Sequence, residues 1–312
     1  MQSLKKVLNN QVAKSQFKNL YQDQVVYAFA SKYSLKAIDL NDADAPQRFV
    51  QSLKDTGFGV IKNHPIKQER VQSIYDNWYK FFQSERKHEY LYNKGTQDGY
   101  FPPNVSEIAK GNNVKDIKEY FHIYPFGQIP PELKEEAMAY YKDTSKFASQ
   151  LLQWIQDFTP EEVKKNYKCP LPEMIRDTDQ TLLRVLHYPP FSGKEEPGAI
   201  RAAAHEDINL ITILPSANEP GLQVKTLDGE WIDVPSDFGN LIVNIGDMLQ
   251  EASGHYFPST PHRVINPTGE ATKKSRISLP LFLHPRPDVV LSDKYTAESY
   301  LKERLIELGV LY

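Results

Sequence analysis

The sequence predicts a mainly β protein with flanking α-helices, built on a double-stranded β-helix, the jelly-roll barrel of cupin-like proteins. Three observations carry that expectation. From Thr181 onward the chain breaks into about eight short segments that alternate apolar and polar residues, as half-buried strands do. Turn sequences separate them: Pro189-Pro190, Glu219-Pro220-Gly221 and Asp228-Gly229, the last a strong hairpin signal between two short strands. His205, Asp207 and His262, residues with metal-ligand chemistry, fall in the middle of this run.

Composition narrows the class. The chain has 312 residues, of which 40% are hydrophobic and 25% charged, ordinary values for a globular protein large enough to bury a sizeable core. A net charge of −3 gives no reason to expect nucleic acid or an anionic membrane as partner. No apolar run approaches the roughly 20 residues that span a bilayer. The opening MQSLKKVLNNQVAKSQ lacks the apolar core of a secretory signal. Cys169 is the single cysteine, which excludes an internal disulfide and fits a reducing, cytoplasmic compartment. A monomer acting on a small molecule is the expected form.

In chain order, residues 1–32 carry Leu4, Val7, Leu8 and Val12 at helical spacing and read as an N-terminal helical extension. A strand over 36–40 precedes a helix that Asp42 or Asp44 is placed to cap. A second strand covers 57–61. An amphipathic helix over 71–82 carries Tyr75, Trp78, Phe81 and Phe82 on or near one face. Gly, Asn and Pro mark 93–113 as a long loop, and its Tyr100 and Phe101 are either substrate contacts or plain anchors. A strand over 118–123 leads to the longest helix, 131–158. The barrel strands are expected over 182–188, 199–204, 210–214, 222–225, 231–234, 241–245, 264–266 and 276–283. A closing helix over 296–308 offers Leu301, Leu305 and Ile306 to the barrel. The expected domains are therefore 1–32, an α/β region 33–175 packing on the barrel, the core 176–290, and the C-terminal helix 291–312.

In a strand, residues i and i+2 share a face, so His205 and Asp207 project together while Glu206 points away. Several strands separate them from His262, enough for the chain to fold it alongside. Two imidazoles and one carboxylate on one side of a metal form the facial triad of non-haem Fe(II) oxygenases, which leaves positions open for substrates and O2. The same ligands would accept Zn or Ni, since affinity alone does not select iron. Arg276 and Ser278 also share a face, and a guanidinium directed inward needs an anion such as a carboxylate.

The order HED, GLQV, DGEWIDVP, LIVNIGDMLQ, PHRV and SRISLPLF resembles the 2-oxoglutarate- and Fe(II)-dependent oxygenases of the isopenicillin N synthase-like superfamily. The resemblance runs roughly from Tyr33 to His284, with GFGVIKNHPI matching the N-terminal region. It implies that His205, Asp207 and His262 bind Fe(II), and that Arg276 and Ser278 hold the distal carboxylate of 2-oxoglutarate with help from Tyr188. It implies that Phe282 lines the substrate side of the iron, where an ordinary core aromatic is the alternative. Two residues before Tyr188 the family often has Asn; this chain has Leu186, which removes one polar contact. The implied reaction couples oxidative decarboxylation of 2-oxoglutarate by O2 to hydroxylation or desaturation of a small molecule, with no catalytic residue beyond the metal centre. An Fe(II) oxidase that does without 2-oxoglutarate, and a non-catalytic jelly-roll binding protein, are the alternatives.

Overall fold

Side-chain alternation across one long sheet sorts this protein into two cores. The computed structural model describes residues 35–105, 114–217 and 219–309; the helical extension expected at 1–32 and the loop segment 106–113 lie outside the described residues. The larger sheet takes strands in the order β1 (Ala37–Asp39), β2 (Phe58–Lys62), β10 (Leu241–Ile245), β7 (Ile211–Pro215), β13 (Leu281–Leu283), β5 (Leu182–Tyr188), β4 (Glu119–Ile123) and β3 (Gly99–Phe101), with β12 (Arg276–Ser278) paired to β5. The smaller sheet runs β6 (Ala202–His205), β11 (His262–Val264), β8 (Leu222–Lys225) and β9 (Trp231–Asp233). The two sheets form the expected jelly roll but do not close into one barrel.

One face of the large sheet presents Phe121, Ile123, Leu183, Val185, Ile213, Val243 and Leu281 to the helices. Helix α1 (Ala45–Thr56), α2 (Gln68–Gln83) and the 27-residue α3 (Pro131–Asp157) cover it. Helix α2 buries Val71, Ile74, Tyr75, Trp78, Phe81 and Phe82, the stripe that its 3.6-residue period predicts. The opposite face carries Phe58, Val60 and Ile242, which pack on Ala202, Leu222, Val224 and Val264 of the small sheet. That second interface, together with the aromatic cluster Phe101, Tyr120, Leu186 and Tyr188, is where polar chemistry collects.

Helix α1 stops where its last turn meets Gly57, at φ 73°, whose N–H donates to Leu53 O at 2.8 Å. A Cβ there would stand 2.2 Å from Thr260 Oγ1, so glycine is required by both the turn and the approach. The Asp228-Gly229 turn joins β8 to β9 as its sequence predicts, with Gly229 N–H donating to Thr226 O at 2.9 Å.

Four expectations are corrected. Residues 99–101, expected as loop, form β3, because pairing with β4 supplies backbone hydrogen bonds that their Gly-rich surroundings do not advertise. The strand expected over 276–283 is two strands, since Pro280 lacks the N–H to continue the ladder and only its carbonyl pairs, with Arg184 N–H at 3.0 Å. Asp44 makes no side-chain cap; it and Asp42 bind Arg48 instead, at 3.3 and 2.9 Å. The last helix, α5 (Ala297–Glu307, with Asp247–Ala252 as α4), starts in a Thr296–Ser299 capping box. It buries Ala297 and Tyr300, while Ile306 is 48% exposed and Leu305 only partly covered.

A candidate metal and cosubstrate site

His205 ends β6 and His262 begins β11, and the two are direct cross-strand partners. Between them and the Val264–Ala202 pair the register slips by one residue, a bulge that turns both imidazoles to the space between the sheets. Asp207 lies two residues past the end of β6, in the loop that crosses to the large sheet. Period-2 reasoning placed it on the same side as His205; the loop, not a continued strand, puts it there. Its Oδ1 is 3.8 Å from Nε2 of each histidine. Its Oδ2 accepts from Thr212 Oγ1 at 2.5 Å and Asn244 Nδ2 at 2.8 Å, from adjacent strands β7 and β10.

The histidines are oriented from behind. His205 Nδ1 faces Ala203 O at 2.7 Å and His262 Nδ1 faces Thr260 O at 3.2 Å. A carbonyl can only accept, so Nδ1 carries the proton and Nε2 presents its lone pair. Burial and the neighbouring His262 lower the His205 pKa, which keeps that ring neutral. Burial alone would raise the Asp207 carboxyl, but the two histidines and the hydrogen bonds from Thr212 and Asn244 outweigh it and hold it ionised. The three candidate ligand atoms lie within 4.8 Å of one another. Two imidazoles and one carboxylate with its second oxygen already bound fit a divalent transition metal with open positions.

A glycine holds this loop in place. Asp247 N–H donates to Asp207 O at 2.8 Å, and Gly246 N–H to Leu210 O at 3.0 Å, so the β10–α4 turn lies directly on the ligand loop. A Cβ on Gly246 would fall 2.3 Å from Asn209 O and 2.1 Å from Asn209 Oδ1. Gly246→Ala therefore pushes the backbone carrying Asp207, and we expect at least the roughly 10- to 100-fold loss of metal affinity typical of damaged ligand support. Metal content after dialysis against a weak chelator checks this; full retention would refute it.

Arg276 and Tyr188 are paired across β12 and β5, as are Ser278 and Leu186, so all four side chains share the inner face. Arg276 is 6% exposed. Its Nη1 donates to Pro220 O at 3.0 Å, and its buried Nε has no hydrogen-bond partner among the described residues. Burial lowers its pKa and raises that of Tyr188, whose phenol stays a donor. An orphaned guanidinium N–H beside a hydroxyl and a phenol fits a carboxylate. Leu186 packs with Phe101, Tyr120 and Tyr188, so an apolar contact stands where the polar one was expected. His187 alternates to the helix face, as its parity requires.

The same parity separates the expected substrate residues. Phe101 pairs with Tyr120 and lies on the inner face, stacked on Tyr92 at 4.4 Å and Tyr120 at 4.7 Å. Phe282 pairs with Thr212, the residue that holds Asp207, and sits 5.2 Å below the Arg184 guanidinium. Tyr100 does not reach the site: it pairs with Phe121 on the helix face, 1% exposed, and its hydroxyl binds Glu119. Glu119 is a buried carboxylate that recruits partners there, with Lys87 at 3.1 Å and His187 at 2.7 Å besides Tyr100. His255 lies in an exposed turn at φ 64°, with its Nε2 3.9 Å from Glu251 Oε2.

Sequence reasoning left unassigned Thr212, Tyr120, His122 (read as structural), Arg184 (named only as a compensating donor for the contact Leu186 lacks) and Arg201. The signal existed for the first four: each is an even-numbered residue of a strand whose odd-numbered residues are mostly apolar and face the helices. Arg184 is oriented by Nε donation to His122 Nε2 at 2.8 Å and lies 4.6 Å over the Tyr120 ring. Asp116 and Lys118 were also missed; they form a buried pair at 2.8 Å, and Asp116 accepts from Ala203 N–H at 2.9 Å, beside His205.

Comparison with known proteins gives a consistent result. The 2OG-Fe(II) oxygenase superfamily model matches residues 169–285, and the model for the N-terminal region of non-haem dioxygenases in morphine synthesis matches 34–150. Gibberellin 2-beta-dioxygenase 3 of Arabidopsis thaliana is 27% identical over 264 residues, 80% of this chain and 75% of its own. A provisionally designated oxygenase from Shewanella oneidensis, known from its crystal structure, is 61% identical with a TM-score of 0.82, covering 89% of this chain and 100% of its own. A full-length Neurospora crassa protein, crystallised in complex with alpha-KG, shares the fold at 23% identity and a TM-score of 0.73, over 89% of this chain and 97% of its own.

Proposed function

Because the chain belongs to the 2OG-Fe(II) oxygenase superfamily, we propose that His205, Asp207 and His262 hold its Fe(II), and that Arg276, Ser278 and Tyr188 hold the distal carboxylate of 2-oxoglutarate. The enzyme is a 2-oxoglutarate-dependent dioxygenase: 2-oxoglutarate, O2 and a substrate C–H yield succinate, CO2 and a hydroxylated product. Fe(II) held by these three side chains would supply the activation of O2, with 2-oxoglutarate as the co-reductant. The chain's own residues position and insulate. Thr212 and Asn244 fix the Asp207 carboxylate so that one oxygen faces the metal, and the Ala203 and Thr260 carbonyls fix the two imidazoles. Aromatic side chains around the inner face, Phe101, Tyr120 and Phe282, exclude water and favour an apolar or ring-bearing small molecule. Relatives are named for gibberellin oxidation and for ortho-hydroxylation of coumaroyl CoA and feruloyl CoA, substrates that all carry rings.

The observation that carries this reading is the clustering of three ligand atoms, all with their back-side polar atoms already satisfied. A single anaerobic titration tests it. Apo-protein receives Fe(II) and then 2-oxoglutarate, and the weak visible band of a metal-chelated 2-oxoacid is expected, followed by succinate release on admitting O2. Iron uptake without a band would favour an oxidase that does without 2-oxoglutarate, and no iron uptake would sink the ligand assignment. Residues 33–175 are read as a region that packs on and buttresses the 176–290 core. A cytoplasmic monomer is the proposed form; the lone cysteine fits a reducing compartment, and among the described residues no helix is long and apolar enough to cross a membrane.

A further inference from the structure

Two arginines, not one, are buried at the cosubstrate end of the inner face. Arg201 is 2% exposed, less than Arg276. It opens the segment that leads through β6 to His205, and its guanidinium crosses to the other sheet, where Nη2 donates to Lys274 O at 3.2 Å, two residues before Arg276. Its Nε, like that of Arg276, is buried with no hydrogen-bond partner among the described residues. The two guanidinium carbons lie 5.8 and 6.0 Å from the same Tyr188 ring centre. Glu219 is the acidic residue whose charge both arginines feel, yet no ion pair or hydrogen bond joins it to either; its carboxylate lies 3.9 Å from Lys274 Nζ.

Two buried like charges around one ring, each with an unpaired donor, repel one another and forfeit hydration, a combination that a folded protein tolerates where an anion completes it. Leu186 supplies no polar group on this face, so another donor is available to take that part. We propose that Arg201 is a second cationic anchor for the distal carboxylate of 2-oxoglutarate, acting from the β6 side of Tyr188 while Arg276 acts from the β12 side. This rests on the assignment of Arg276 to that carboxylate.

The test separates charge recognition from mere structural support. Anaerobic Fe(II)-loaded protein is titrated calorimetrically with 2-oxoglutarate and with 2-oxobutyrate, which keeps the 2-oxoacid end and lacks the distal carboxylate. Arg201→Met is expected to weaken 2-oxoglutarate binding roughly 10- to 100-fold, the worth of a hydrogen bond to a charged group, and to leave 2-oxobutyrate binding unchanged. Arg201→Lys is expected to keep part of the difference, and it decides the matter by the same ratio if the Met variant does not fold. Unchanged 2-oxoglutarate affinity, or equal weakening of both 2-oxoacids, would overturn the proposal and leave Arg201 a tie between the sheets. Arg276→Met is run in parallel. A loss in that variant with none in Arg201→Met overturns only the second anchor, whereas no loss in Arg276→Met overturns the assignment on which it rests.

Discussion

Asp207→Ala is expected to eliminate iron-dependent turnover while leaving a folded protein. Asp207 is the one anionic member of the ligand cluster, so its removal leaves two imidazoles to hold a divalent cation. The loss should exceed the roughly 10- to 100-fold that residues supporting a ligand contribute, and that comparison can be made in the same protein. Thr212→Val and Asn244→Leu each keep the carboxylate and remove one of the donors that fix Oδ2. Both should fall in the supporting range. Folding should survive in Asp207→Ala because the change removes a carboxylate that is costly to bury, and Thr212 Oγ1 keeps the hydrogen bond it accepts from Asn209 Nδ2 at 2.8 Å. Metal stoichiometry, succinate release and thermal melting, measured together on the three variants, check the ranking. A ligand variant that bound iron as well as the two support variants would show that the carboxylate is not a ligand.

How far this site is legible in sequence depends on whether a residue's role is set by local period or by distant pairing. The strands β5, β8 and β10 fall where alternation places them, and with them the shared face of Tyr188, Arg276 and Ser278 follows from counting by two. Asp207 was placed correctly for an incomplete reason. The strand ends at His205, and the carboxylate is held by Thr212, Asn244 and the Gly246 turn, contacts between segments far apart in sequence. Tyr100 was misplaced because a loop reading carries no parity; once β3 pairs with β4, adjacent Tyr100 and Phe101 must point to opposite faces. Arg201 was invisible for a related reason. Nothing in RAAAHED says that its side chain leaves its own sheet to stand beside Arg276, and only burial without a counter-charge draws attention to it.

Arg276→Met should separate cosubstrate capture from metal binding. The guanidinium is buried, charged and short of one acceptor, so a carboxylate placed there gains a charge-assisted hydrogen bond without competition from water. Truncating one partner of such a buried pair costs about 2–5 kcal/mol, which is roughly a 30- to several-thousand-fold rise in the dissociation constant for 2-oxoglutarate. Iron affinity should not change, because Arg276 touches none of the three candidate ligands. At saturating 2-oxoglutarate the turnover number should recover most of its value, since the lost contact is one that the bound cosubstrate makes before and during reaction alike. Tyr188→Phe is the graded control: it keeps the ring over which both arginines lie and removes one neutral donor, so its effect should be smaller than that of Arg276→Met. A fall in turnover number that added cosubstrate could not rescue would mean that Arg276 holds the substrate's own carboxylate instead, and the roles assigned to the two ends of the inner face would have to be exchanged.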